Sequence, residues 1–284
     1  MQTNKKIGFI GQGWIGKNYA DDFEERGFSV VRYAKEPQYE ENKDLIATCD
    51  IVFIAVPTPT TPEGFDYSII RAVLPLVGKG KTAVLKSTIV PGTTAKLQEM
   101  FPDIVLLYSP EFLSEASAKH DSSHPFASIV GMSGDVILHR PRAEEVLVVL
   151  PKADFSLICT STEAEVFKYT HNTNGYVQIM FFNMIYDLAT KLGCDWSVIH
   201  SAIVADPFIA SRYSEPIHKS GRGAGGHCFI KDFEAFKQKY TELFPYDVSG
   251  LALLQANVDK NIGLLKSTNK DLDLLAGVYG QDYV

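Results

Sequence analysis

Cys228 directly follows Gly223-Ala224-Gly225-Gly226-His227, and Phe229-Ile230-Lys231-Asp232 come after it. Glycines carry no Cβ, so this loop can turn tightly and let backbone come close to a ligand. A thiol leaving the loop at the start of a helix lies near the positive end of the helix dipole, which favours the nucleophilic thiolate. With a helix beginning near Phe229, Asp232 lies one turn beyond Cys228 and can face the same cavity. Gly225, Gly226, Cys228 and Asp232 therefore read as a catalytic-cysteine loop rather than a thiol buried beside a turn.

A second chemistry lies at the other end of the chain. Lys6 to Ile10 reads as a short buried strand that runs into Gly11-Gln12-Gly13-Trp14-Ile15-Gly16, and a helical pattern follows to about Arg26. Strand, GxGxxG and helix in that order form the dinucleotide fingerprint. Gly11 permits the turn, Gly13 admits the pyrophosphate, and Gly16 allows close packing of helix on strand. Trp14 and Ile15 open the helix whose free amides face the phosphates. The acidic residue that normally ends the second strand is missing. Tyr33 is nearest that position, with Arg32 and Lys35 beside it and Glu36 slightly later. NAD is the expected cofactor, and the basic residues leave room for the 2′-phosphate of NADP.

Polar groups also collect where later strands should end, the place where open α/β sheets bind ligands. Val56-Pro57-Thr58-Pro59 ends one strand, Lys86-Ser87-Thr88 the next, and Ser109-Pro110-Glu111-Phe112-Leu113-Ser114-Glu115 another. Each could be an ordinary turn, with Thr93 or Thr94 a simple cap and Glu111 and Glu115 solvated charges. Further on, Lys168 and Asn172 stand at i and i+4, on one helix face. An ammonium beside an amide donor suits an oxygen that gains negative charge during reaction. The plain alternative is a surface lysine with Glu165 as its partner. His120, His124, His171 and His227 read as structural. No His/Cys/Asp grouping has metal-ligand spacing, so no metal is expected.

The elements that must position these groups change character near residue 160. Before it, apolar strands at 51–56, 82–87, 104–108, 127–131 and 155–159 are separated by amphipathic stretches such as 67–77 and 94–101. That alternation predicts a Rossmann-type, mostly parallel sheet covered on both faces. After it, residues 162–192 contain no proline and only Gly175 as glycine, which predicts one long central helix with a possible kink at Asn174-Gly175. Shorter helices are expected over 196–204, 232–244 and 248–265. The fold class is thus α/β, with an NAD-binding domain over 1–160 and a helical domain over 161–284 that carries the Cys loop.

At 284 residues there is ample chain for these cores. A formal net charge of −7 without a basic tract argues against nucleic-acid binding. Cys49, Cys159, Cys194 and Cys228 are scattered and form no CxxC pair, which fits a reducing, cytoplasmic setting. Polar first residues and the lack of a long apolar run predict neither a signal peptide nor a membrane span.

In six motifs the chain resembles the UDP-glucose/GDP-mannose dehydrogenase family: Gly11 to Gly16; Val56 to Pro59; Lys86-Ser87-Thr88 with Pro91-Gly92-Thr93-Thr94; Ser109 to Glu115; Glu165 with Lys168 and Asn172; and Gly223 to Asp232. That family oxidises the C6 hydroxyl of a nucleotide sugar to a carboxylate in two hydride transfers. The resemblance implies that Cys228 forms a thiohemiacetal and then a thioester, with Lys168 and Asn172 stabilising the oxyanion. It assigns water handling to Thr88, Glu111 and Asp232, Glu111 being the general base. It places Val56, Pro57, Thr58, Thr88 and Glu115 with Tyr33 and Gly11 to Gly16 at the cofactor. Glu111, Phe112, Leu113, Lys168, Asn172, Gly225, Gly226 and Cys228 fall to the substrate.

Three departures accompany the resemblance. Phe208 replaces an arginine after Asp-Pro, leaving Arg212 as the nearest basic residue, and Ile230 replaces a proline. The sequence also stops soon after Asn261, where the family continues into a domain that grips the nucleotide. That domain is expected to be lacking. Two other readings compete: a two-electron dehydrogenase of the β-hydroxyacid type, which needs no thiol, and a non-catalytic dinucleotide-binding protein left after domain loss. Met180, Phe181, Phe182 and Met184 exceed what one buried helix stripe needs, and together with the resemblance they suggest a homodimer.

Overall fold

Ile51 to Ile54, Val84 and Leu107 are fully buried, as strand residues covered by helices on both faces must be. The computed structural model describes residues 5–114 and 116–283. The chain divides into two compact units, Met1–Thr58 with Asp66–Lys168, and Pro59–Phe65 with Tyr169–Val284.

The first unit begins β1 (Lys6–Ile10), α1 (Trp14–Glu25), β2 (Ser29–Tyr33), α2 (Pro37–Glu40) and β3 (Ile51–Ile54). A two-stranded hairpin, β4 (Thr60–Thr61) and β5 (Gly64–Phe65), belongs to the second unit. The first then resumes with α3 (Ser68–Val73), β6 (Thr82–Leu85), α4 (Thr93–Met100), β7 (Val105–Tyr108), α5 (Ala118–Ser123), β8 (Ala127–Met132), α6 (Val136–Val149) and β9 (Phe155–Thr160). Seven strands form one sheet in the order β2-β1-β3-β6-β7-β8-β9. All neighbours are parallel except β7 and β8, which pair antiparallel through Leu107 with Met132 and Tyr108 with Gly131. Phe9 stacks on Phe53 at 5.1 Å and meets Phe23 of α1 edge-on at 5.4 Å. Each such ring contributes about 2–3 kcal/mol by burial. α6 forms although Pro141 lies inside it and removes one backbone donor.

α7 (Ser161–Lys191) is a single unbroken helix, and the division between units falls inside it. No break marks Gly175. A Cβ there would meet the Tyr213 ring at 2.8 Å and Phe229 at 3.1 Å, so this glycine serves packing. α8 (Trp196–Ala205), the hairpin of β10 (Ile217–His218) and β11 (Gly221–Arg222), α9 (Gly226–Leu243), α10 (Val248–Ser267) and α11 (Leu272–Tyr279) complete the second unit. Tyr176 of α7 stacks on Phe233 of α9 at 3.9 Å, within a core that includes Met180, Ala224, Val258 and Leu264. α11 packs on α9 through Leu275 and Val278 beside Ile230 and Leu265. Among the described residues no helix is long and apolar enough to cross a membrane, and no group of three or more His, Cys, Asp and Glu could hold a metal ion.

Candidate active site

The fingerprint glycines meet their local demands in the first unit. Gly11 has φ +90°, and a Cβ on it would overlap the Ala55 carbonyl. A Cβ on Gly16 would overlap the Gly11 carbonyl, so α1 could not lie this close to β1 with any other residue there. Around Gly13 the space is open. Gly13 is also the N-cap of α1 and offers no side chain to its amides, while Trp14 and Ile15 stand half-buried in the first turn. An open cradle at an uncapped helix N-terminus fits a diphosphate.

At the end of β2, Tyr33 is half-buried and Lys35 and Glu36 are exposed. The guanidinium of Arg32 is taken up by acids of α1. It donates to Glu24 at 2.9 and 2.7 Å and pairs with Asp21 at 2.7 Å, with a weaker contact to Gln12 at 3.4 Å. Of the two basic residues that left room for NADP, Arg32 is therefore committed inside its own unit, while Lys35 stays exposed.

Ser87 ties the exits of β3 and β6 together. Its hydroxyl donates to the Val56 carbonyl at 2.7 Å and accepts from the Val56 amide at 3.0 Å. Thr58, buried, donates to the Thr88 carbonyl at 2.8 Å, and Pro57 between them is exposed. Thr88 is itself buried. Lys86 is 2% exposed; its ammonium donates to the Ser109 carbonyl and hydroxyl at 3.2 and 3.3 Å and lies 4.3 Å from the centre of the Tyr19 ring. Burial brings its pKa down to about 7.

Glu111 is 3% exposed, so it is not a solvated charge. Its carboxylate accepts from the Leu113 amide at 2.8 Å and from the Lys168 ammonium at 3.2 Å, and Lys168 also donates to the Glu111 carbonyl. Lys168 lies 5.2 Å from the Phe112 ring centre. Phe112 and Leu113 are half-buried. The surface-lysine alternative fails on both members. Lys168 is buried, and Glu165, fully buried, accepts instead from the Gly92 amide at 2.6 Å, the Thr94 amide at 2.9 Å and the Thr94 hydroxyl. Glu165 thus fastens the start of α4, where Gly92 is the N-cap at φ +91°. Burial raises its pKa even though these donors favour the carboxylate. Glu115 lies outside the described residues.

In the second unit α9 starts at Gly226, three residues earlier than the sequence suggests, because Gly226 can take φ +76°. Cys228 is therefore in the first helical turn and half-buried, and Asp232 follows one turn later at 1% exposure. The Asp232 carboxylate accepts from the Asn172 amide of α7 at 2.6 Å and from the adjacent Lys231 ammonium at 2.5 Å. Asn172 is buried, one turn along α7 from Lys168. Gly225 is half-buried. Phe208 is 94% exposed and Arg212 is exposed. His120 and His124 are exposed and stack on each other at 4.5 Å, and His227 is exposed.

Sequence reasoning missed the groups that hold the loop from a distance. Asn261, Lys270 and Asp271 all hydrogen-bond to it. Only a buried-lysine or cap-residue pattern beyond Asn261 could have signalled them.

Models of the UDP-glucose/GDP-mannose dehydrogenase family match twice, the NAD binding domain over residues 36–142 and the central domain over residues 162–261. The chain belongs to this family and carries its NAD binding domain. The UDP-glucose 6-dehydrogenase TuaD of Bacillus subtilis (strain 168) is 29% identical over 280 residues, covering 82% of this chain and 59% of that protein. A UDP-glucose dehydrogenase structure from the hyperthermophilic archaeon Pyrobaculum islandicum matches with a TM-score of 0.77 at 26% identity, over 92% of this chain and 69% of that one. The fold is shared, at 17% identity and a TM-score of 0.72, with Mycobacterium tuberculosis 3-hydroxyisobutyrate dehydrogenase, over 96% of this chain and 98% of that one. The chain spans about half the length of the curated relatives it matches.

Proposed function

We propose that this chain oxidises the primary alcohol of a nucleotide sugar, C6 of UDP-glucose first among candidates, to a carboxylate. The balance is one alcohol, two NAD and one water giving one carboxylate, two reduced cofactors and three protons. When bound on Gly11, Gly13, Gly16 and the α1 amides, NAD supplies the acceptor for the electron pairs. The thiolate of Cys228 adds to the aldehyde carbon, giving a thiohemiacetal on sulfur whose oxidation leaves a thioester. Lys168 and Asn172 donate to the oxygen that carries negative charge. Glu111 takes a proton from water, with Thr88 and Asp232 as further partners of that water, and hydrolysis returns the thiol.

The observation that carries this reading is the buried carboxylate of Asp232, held by Asn172 one turn beyond Cys228. A two-electron alcohol dehydrogenase has no use for that thiol. The two-electron reading is the alternative, and the fold is one that the hydroxyisobutyrate dehydrogenase shares. The deciding assay counts reduced cofactor per substrate for UDP-glucose, other nucleotide sugars and hydroxy acids, beside Cys228→Ser. Two per substrate, with carboxylate lost in the variant, supports the four-electron reaction. One per substrate with an unimpaired variant replaces it by the two-electron one.

A homodimer accompanies the proposal. Val177, Phe181, Met184 and Leu188 form an exposed apolar stripe along α7 at helical spacing, the kind of self-complementary patch that pairs across a two-fold axis. Sedimentation of the purified chain at micromolar concentration tests it, and a monomer there rejects it. The acidic balance and the lack of a membrane-crossing helix among the described residues support a chain that works in aqueous solution, and the scattered cysteines support a cytoplasmic one.

A further inference from the structure

The loop before Cys228 is held by one later stretch of the same unit, Asn261 to Asp271. The Asn261 side chain accepts from the Ala224 amide at 2.7 Å and donates to the Ala224 carbonyl at 3.1 Å. Thr268 accepts from the Arg222 amide at 3.1 Å. Lys270, 5% exposed, donates to the carbonyls of Gly223 at 3.0 Å and Gly221 at 3.4 Å. Asp271 accepts from the Gly226 amide at 2.8 Å. That last bond is unexpected. Asp271 stands at the N-cap of α11, yet its carboxylate makes no cap bond there and goes to the first residue of α9 instead. To do so it takes φ +52°, with Asn269 at φ +54°, a backbone region that non-glycine residues enter only when surrounding contacts hold them. A Cβ on Gly225 would overlap the Asp271 carboxylate, so the loop leaves room for it.

We propose that Asp271 is a positioning residue for Cys228, fixing the first turn of α9 and setting the acidity of its thiol through the charge it places on the helix N-terminus. Gly226 opens the helix and Cys228 is its third residue, so a carboxylate on the Gly226 amide acts within the turn that carries the sulfur. The helix end favours the thiolate, and a fixed negative charge at the same end opposes it. Other charged or titratable groups around this end are Lys270, Lys219 in the β10–β11 turn, and His227, Lys231 and Asp232 on α9 itself. Glu63 of the β4–β5 hairpin, which packs on α9, is engaged with the Thr61 hydroxyl at 2.7 Å. Asp271 is the one carboxylate among them bonded to the helix-end amide. The inference rests on Cys228 being the nucleophile.

The test is the pH dependence of Cys228 carboxamidomethylation by iodoacetamide, read by peptide mass spectrometry from about pH 5 to about pH 10. Wild type, Asp271→Asn and Asp271→Ala are compared. Asp271→Asn keeps an acceptor for Gly226 but loses the charge, so its midpoint should fall by about half a unit with the limiting rate retained. Asp271→Ala also loses the hydrogen bond and should change the limiting rate several-fold, a change that Asn rescues. An Asp271→Asn profile superimposable on wild type overturns the proposal, as does an equal change of limiting rate in both variants. Failure of the functional reading shows up separately, as no cofactor reduction by the wild type with any nucleotide sugar.

Discussion

In the first unit the polar side chains at the strand ends hold one another and the backbone of neighbouring strand exits, whereas in the second a set of side chains distant in sequence holds the backbone of one loop. Glu111 and Lys168 form a buried ion pair, and Lys86 leans on Ser109 beside it. Regular sheet geometry delivers these groups, because each follows directly from the end of a parallel strand or lies on a helix. The glycine loop of the second unit has no regular structure of its own until Gly226. Asn261, Thr268, Lys270 and Asp271 supply the partners that a strand neighbour would otherwise provide. A sheet can present charges with few dedicated contacts, while a flexible loop needs a set of side chains devoted to it.

The contrast can be broken at several points. Cys228→Ser should remove carboxylate formation, by about 10⁴-fold or more, with little change in the melting curve, measured by product analysis and calorimetry. Glu111→Gln strands the Lys168 ammonium in a buried site and should cost about 3 kcal/mol in urea unfolding. Asn261→Ala leaves the Ala224 amide and carbonyl without their partner and should cost about 2 kcal/mol. Here the Cys228 alkylation rate should change as well, and an unchanged rate would remove the distinction between the two regions.

Lys86→Met sharpens the comparison through pH. The folded pKa of Lys86, about 7, lies below its ordinary value of 10.5, so between those values the unfolded chain binds a proton that the folded chain does not. Stability of the wild type should therefore rise with pH across that window, and the burial cost of the charged ammonium is present in full below it. The Met variant lacks this rise. Urea midpoints of both proteins at about pH 7 and about pH 9.5 check the sign. The smallest effect belongs to Thr58→Val, which removes one hydroxyl bond to Thr88 and should cost about 1 kcal/mol.

What the sequence revealed follows the range of the interactions involved. The β1–glycine–α1 fingerprint, the thiol loop and the Lys168/Asn172 spacing are local patterns, each within a few residues. Glu165 was legible as a motif member but not as the fastening of α4, because Thr94 stands 71 residues away. Asn172 and Asp232 meet across 60 residues, and no local periodicity encodes that pairing. α6 was hidden by Pro141. α11 was hidden because a short helix after Asn269 and Asp271 depends on two left-handed residues that the sequence does not announce. The hairpin at 60–65 follows the proline-stiffened strand exit without a pattern that announces it, and it packs on α9 and α11.

Arg32 carries a consequence for how coenzyme choice could change over evolutionary time. A cation already stands at the end of β2, and Asp21 and Glu24 restrain it. A descendant of this chain need not acquire a base to accept a phosphorylated ribose. It need only lose two acids on α1, and each loss is a single-residue step that leaves the glycine fingerprint untouched.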